Sequence, residues 1–160
     1  MTNWQIKKLS EICDKASSNV SQNQLTNEDG KYPIYGASGF LKNVSFYHQD
    51  KDYIAIIKDG AGIGRLALLP AYSSVIGTLQ YLLPHEGTDV RFLYYFLSGV
   101  DFLKYKNGST IPHIYFKDYS VEQVSIPSLS EQKRVTKILD EVFEKVTQAK
   151  ENAESVYLRD

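Results

Sequence analysis

The residues best suited to chemistry form one polar stretch: Lys104, Lys106, Asn107, Gly108, Ser109, Thr110 and His113. Lysine ammonium groups reach phosphate oxygens, and Asn, Ser, Thr and His side chains hydrogen-bond base edges in a groove. The same chemistry is offered elsewhere. Lys58 and Arg65 flank a glycine-rich loop, and Lys42-Asn43 follows a second glycine turn. A basic side chain standing alone is more often a solvated surface group. What counts is whether these loops converge on one ligand.

Other chemistries find little support. Gly60-Ala61-Gly62-Ile63-Gly64 follows a strand-like run, but its spacing is G-x-G-x-G rather than G-x-G-x-x-G. The RLALLP that follows reads as a strand, so no helix N-terminus is offered to a phosphate. A tight hairpin between two core strands fits better. There is no Walker loop and no G-x-S-x-G elbow. His48, His85 and His113 are far apart and lack metal-ligand spacing. The pairs Asp50/Asp52 and Glu28/Asp29 sit in polar loops and read as solvated charge. Cys13 is flanked by Glu11 and Asp14, which disfavour a thiolate, so a structural role is expected. The chain is therefore read as non-catalytic, with neither metal nor cofactor of its own.

The elements that must position these groups follow from periodicity. Residues 4–14 are a strand or a short turn. Residues 17–31 are a polar loop, and YPIYGASGF is a turn between short strands. Residues 53–58, YIAIIK, are nearly all apolar and predict a central buried strand. Residues 66–69 and 75–84 are two more strands, each ended by a proline. Between 89 and 106 the period changes. Phe92, Tyr95, Phe96, Gly99 and Leu103 recur at three and four residues, which predicts an amphipathic helix capped by Thr88 or Asp89 and stopped by Asn107-Gly108. Residues 119–126 are a last strand.

The final segment has the strongest pattern. Ser128 and Glu131 have capping-box spacing. Val135, Leu139, Val142, Val146, Ala149, Ala153 and Val156 then alternate at four and three residues, the seam of a coiled coil. A helix over 128–160 would span roughly 50 Å and could not bury that whole seam on one small domain. It needs a partner helix, and pairing with a second copy of the chain is one way to supply it. The fold expected is α/β, of α+β character: a mixed twisted sheet over 1–127, then a long C-terminal coiled-coil helix over 128–160.

Composition bounds the rest. A chain of 160 residues is one domain with room for an added helix. No run of 18 apolar residues predicts a transmembrane helix, and no membrane role is expected. A lone cysteine cannot form an internal disulfide and suits a reducing cytoplasm. The net charge of −1 is unlike the basic balance common in nucleic-acid binders. Residues 91–117, however, hold Arg91, Lys104, Lys106 and Lys117 against Asp101 alone, and a local patch can dock phosphates.

Over nearly its whole length the chain resembles the specificity subunit of type I restriction-modification systems, as one target recognition domain with its following spacer helix. The resemblance lies in WQIKKLSEI, YPIYGASG, YIAIIKDGAGIGRLALLP, SVIGTLQYLL and GSTIPHIYFKDYSVEQVSIPSLSEQKRVTKILD, in that order. Ile126 to Gln132 matches the family's motif before the helix, with Ser128 where a second proline is common. The resemblance implies sequence-specific recognition of double-stranded DNA in the major groove, without catalysis. It also implies two kinds of partner: DNA adenine methyltransferase (modification) subunits, which bring S-adenosylmethionine, and restriction/translocase subunits. Family members carry two such domains separated by two antiparallel helices. One domain and one helix would be either a shortened piece or a half-size subunit that pairs with itself. Rival readings are the specificity part of a related type II restriction enzyme and a coiled-coil protein-interaction adaptor with no DNA role.

Overall fold

The computed structural model describes the backbone of residues 3–157 and the side chains of residues 3–156. Among the described residues nine strands form three sheets. The largest has the order β2 (Cys13–Ser17), β8 (Leu79–Pro84), β5 (Tyr53–Ile57) and β6 (Leu66–Leu69), all antiparallel. A second joins β4 (Gly39–Val44), β3 (Tyr32–Gly36) and β7 (Ser74–Val75), and the β3–β7 pair is parallel. The third pairs β1 (Gln5–Lys8) with β9 (Gln123–Ile126). The mixed character expected from the sequence thus resides in the small second sheet.

Strand β5 explains the layering. Its five residues are all buried, and side chains alternate across a strand. Ile54 and Ile56 enter one core with Leu82, Leu93, Leu97 and Phe102. Tyr53, Ala55 and Ile57 enter a second with Ile34, Val75 and Tyr81. The central sheet is therefore covered on both faces, by helix α1 (Val90–Ser98) on one side and by the β3–β4–β7 sheet on the other. Cys13 lies in the first core, and burial, with Asp14 adding to it, pushes its thiol up to about 12.

Three local readings need correction. The helix expected over 89–106 ends at Ser98; Gly99 closes it, and a 3-10 turn at Phe102–Tyr105 follows, restarted by Asp101, whose carboxylate accepts from the Leu103 amide. The single strand expected over 75–84 is two, β7 and β8, which lie in different sheets; of the two caps expected for α1, Asp89 is the one that forms, accepting from the amides of Arg91 and Phe92. Residues Phe116–Tyr119 are a helical turn, α2, so the last strand is only Gln123–Ile126.

Helix α3 (Leu129–Tyr157) runs 29 residues, about 43 Å; the expected residues 158–160 lie outside the described part. Half of the capping box forms. The Glu131 amide donates to Ser128 Oγ at 3.4 Å, but the Glu131 carboxylate turns to Arg134. Gln132 and Thr136 are buried against the body, Val135 packs on the first core, and Leu139 and Asp140 are half-buried. From Glu141 to Val156 every residue is exposed. The rest of the seam, Val142, Val146, Ala149, Ala153 and Val156, therefore stands clear of the body.

A histidine near the start of α3 gives a titratable marker. His85 Nε2 lies 3.0 Å from Asp14, and Nδ1 lies 3.0 Å from the Glu11 carbonyl. The Asp14 hydrogen bond holds the His85 pKa above its ordinary value, against a smaller opposing effect of burial. This contribution to stability is complete below the ordinary histidine pKa and is lost as pH rises through the raised one. In Asp14→Asn, the His85 titration followed by NMR should move down toward the ordinary range; an unmoved midpoint would remove Asp14 as its cause.

Candidate nucleic-acid interface

The loop of residues 58–65 joins β5 to β6, and two of its glycines have positive φ, Gly60 at 96° and Gly64 at 84°. A Cβ on Gly64 would lie 2.6 Å from the Phe102 Cβ, so the loop can close onto the 3-10 turn only with glycine there. This is the hairpin that the spacing predicts. No helix follows it.

A second loop docks on the first. Asn107 and His113 exchange backbone hydrogen bonds at 2.8 Å, which closes residues 107–113 into a small hairpin. The Gly60 amide donates to the Pro112 carbonyl at 2.9 Å, and the Ile114 amide to the Lys58 carbonyl at 2.9 Å. Side chains add a clasp. His113 Nδ1 lies 2.6 Å from Asp59 Oδ1, and Lys58 Nζ donates to Asp59 Oδ2 at 2.7 Å. Partial burial pulls the Asp59 pKa upward, but the hydrogen bonds from His113 and Lys58 outweigh it and hold it below the usual carboxylate value. The His113 ring stacks near Tyr115, over which Lys117 Nζ sits 5.6 Å from the ring centre.

The predicted residues therefore separate into groups. Lys58, Asn107, Ser109, Thr110 and His113 meet in one polar surface, with Lys106 at its edge. Arg65 stands between two hollows. One, of about 520 Å³, lies between the glycine loop and Val100–Leu103; the other, of about 260 Å³, faces the turn at 36–39. Arg65, Lys106 and Lys117 form no ion pair among the described residues, so their charge is available. Lys104 instead pairs with Glu122, and this bond, with one from Tyr105, lowers the Glu122 pKa. Lys42 Nζ donates to the Leu25 carbonyl at 2.9 Å, which holds it on the β3–β4 hairpin beside exposed Asn43. Among the described residues no hydrogen bond or ion pair joins this pair to the 107–113 hairpin. Arg91, part of the basic count, turns away to Asp140 of α3. Among the described residues no group of three or more His, Cys, Asp or Glu could hold a metal.

Sequence reasoning missed several contributors. Asp59 read as an ordinary loop residue because its partner, His113, is 54 residues away, and Tyr115, though near His113 in sequence, gave no sign of the stacking. Lys117 was visible only as one charge in a basic stretch. Gln132 was invisible as an anchor. Its Nε2 donates to the carbonyls of Gly87 and Pro127, both at 2.9 Å, and its Oε1 accepts from the Asp89 amide at 2.8 Å.

Gly108 has φ of 82°, and a Cβ there would lie 2.4 Å from the Ile111 carbonyl oxygen. Gly108→Ala should cost about 2 kcal/mol through left-handed strain and this overlap. Urea unfolding would read the cost, and hydrogen exchange at the Asn107 and His113 amides would locate it. Unchanged exchange there would show that the hairpin tolerates the side chain.

A sheet-built body, two docked polar loops and a protruding helix can now be compared with known proteins. The type I restriction modification DNA specificity domain family matches residues 1–155. The chain belongs to this family. Among curated specificity-domain proteins, the Escherichia coli type I restriction enzyme EcoDI specificity subunit is 25% identical over 157 residues. That alignment covers 96% of the chain but 34% of the relative. A Mycoplasma pneumoniae protein provisionally assigned as a type I specificity subunit is 28% identical, with 89% and 45% covered. The chain thus spans less than half the length of the specificity subunits it matches. The crystal structure of the system's S subunit from M. genitalium shares the fold, with a TM-score of 0.72 at 19% identity over 92% of this chain and 41% of that one. The HsdS subunit from Thermoanaerobacter tengcongensis gives 0.66 at 18%, over 91% and 38%. No described helix of this specificity domain is long and apolar enough to cross a membrane.

Proposed function

We propose that this specificity domain reads double-stranded DNA for a type I restriction-modification complex and has no catalytic role itself. The observation that carries the reading is the meeting of two sequence-distant loops, 58–65 and 106–117, in one exposed basic and polar surface. Arg65, Lys106 and Lys117 contact phosphates, with Lys58, Lys104 and Lys42 contributing where their present partners yield. Asn107, Ser109, Thr110, His113 and Asn43 approach base edges. Adenine methyltransferase subunits supply S-adenosylmethionine and the reaction, and restriction/translocase subunits act on the same complex.

The bare stripe of α3 supports assembly through that helix. Val142 and Val146 are 50% and 44% exposed, so charge placed there cannot disturb the body. In a half-size subunit, two copies would pair through the stripe and read an interrupted palindrome. Val142→Asp with Val146→Asp should then convert dimer to monomer in sedimentation while leaving the unfolding midpoint of the body unchanged. An unaltered sedimentation coefficient would remove the stripe as the interface.

The decisive test of DNA reading is a salt titration of target binding by the assembled complex. Each phosphate neutralised contributes a slope of about −0.9 in log affinity against log salt. A flat dependence would defeat the phosphate assignments. Retention of partners after nuclease treatment, with no DNA affinity, would favour a protein adaptor.

A further inference from the structure

Helix α3 leaves the body through two sets of contacts, one following the other along the helix: its first turns, where Gln132 and Thr136 are buried and Val135 packs on the core, and the point where it departs. The first includes the buried Gln132 anchor in its opening turn. The second lies two turns on, at the last point where the helix touches α1. There Arg91 Nη2 donates to Asp140 Oδ1 at 2.6 Å, and the Tyr95 hydroxyl donates to the same oxygen. The Tyr95 ring lies parallel to that of Phe143, with an interplanar angle of 7° and centres 5.5 Å apart. Beyond these residues every described side chain of the helix is exposed.

Such a group contributes little as a surface ion pair. Its worth lies in leverage. A helix held only over its first turns can still tilt about them, whereas one also clasped where it leaves the body has a fixed direction. From Asp140 to Val156 the overhang is about 24 Å, and tilting it by roughly 10° moves its far end about 4 Å, comparable with the 3.4 Å rise of one base pair.

We infer that the Arg91–Tyr95–Asp140–Phe143 clasp sets the angle at which α3 leaves the body and thereby fixes the number of base pairs between the two half-sites a complete complex accepts. The inference rests on the proposed DNA-reading function. It holds equally where the second reading unit is another copy and where it is joined to the same helix system. Arg91 and Asp140 are positioning residues, since neither reaches the candidate DNA surface. Phe143 is 52% exposed, yet its ring is held flat on Tyr95. That accounts for an exposed aromatic outside the heptad seam.

Two measurements on Asp140→Ala/Phe143→Ala test this. The first uses spin labels at Lys15→Cys on β2 and Lys150→Cys on α3, with labelled chains diluted in unlabelled ones. Native Cys13 is fully buried and stays unlabelled. The distance distribution should be narrow with the clasp and clearly broader without it. The second uses the assembled complex and duplexes whose half-sites, once mapped, are separated by every spacing within one helical turn. The intact complex should methylate one spacing. The variant should methylate neighbouring spacings at least ten-fold faster relative to the cognate than the intact complex does, while Tyr95→Phe, which keeps the stacking, should fall between them. An unchanged spacing profile overturns the inference, as does an unchanged distance distribution. If the intact complex acts on no bipartite target, the DNA-reading function fails and the spacing role falls with it, while the distance measurement still reports on the clasp.

Discussion

Gln132→Ala is expected to destabilise the chain by about 3 kcal/mol or more. The side chain is fully buried, and removing it strands one amide, at Asp89, and two carbonyls, at Gly87 and Pro127. Each buried polar group left without a partner costs about 1–3 kcal/mol. Partial entry of water lowers that sum, and a chain of this length loses about 2–4 °C in melting temperature per kcal/mol. A fall of about 6–12 °C in a thermal scan is therefore expected. Gln132→Glu should fare little better, because it keeps the acceptor for Asp89 but loses both donors and buries a charge. A melting temperature within error of wild type for both variants would show that the loop at 87–89 does not depend on α3.

The second large effect concerns the charges that the structure leaves unpaired. Arg65→Ala/Lys106→Ala/Lys117→Ala should weaken target binding by the assembled complex roughly 100-fold at moderate salt and reduce the magnitude of the salt slope by about 2.7. Because phosphate contacts hold no sequence information, binding to unrelated duplexes should weaken in parallel and the ratio should stay nearly constant. Lys104→Ala is the informative comparison. Its ammonium already pairs with Glu122, so its loss should matter less than that of Lys106. Equal effects of Lys104 and Lys106 would mean that the Glu122 pair opens on DNA. A slope unmoved by the triple substitution would place the DNA elsewhere on the molecule.

Which of these features the sequence could reveal depended on how local their causes are. The apolar run of β5, the glycine hairpin after it and the heptads of α3 all follow from neighbouring residues, and each was legible. The Asp89 cap was legible to within one residue. The end of α1 was not, because Gly99 fits a helical period as a small residue and only the Asp101 cap that follows shows the chain starting again. The division into three sheets was equally hidden. It rests on pairings such as Ser17 with Gln80 and Gln5 with Ile126, which no local pattern encodes. For the candidate site, residue types at 104–113 gave the chemistry of the loop but not its support. His113 looked like a free base reader and is half committed to Asp59. Lys42 looked like a phosphate contact and is tied to the Leu25 carbonyl. Polar side chains chosen by type alone cannot show which are already occupied.

The pairing of β1 with β9 has a consequence for how such chains change over time. Gln5 lies directly opposite Ile126, and α3 begins at Leu129. The sheet-built body is thus entered and left at a single doorway beside the root of the helix. A unit with that layout behaves as a cassette. Residues 9–122 can be exchanged for another body of the same fold, or the chain order permuted around the doorway, provided that the 87–89 backbone facing Gln132 and the α1 side chains facing Asp140 and Phe143 are kept. The proposed reading surface and the frame that holds it can then be inherited separately.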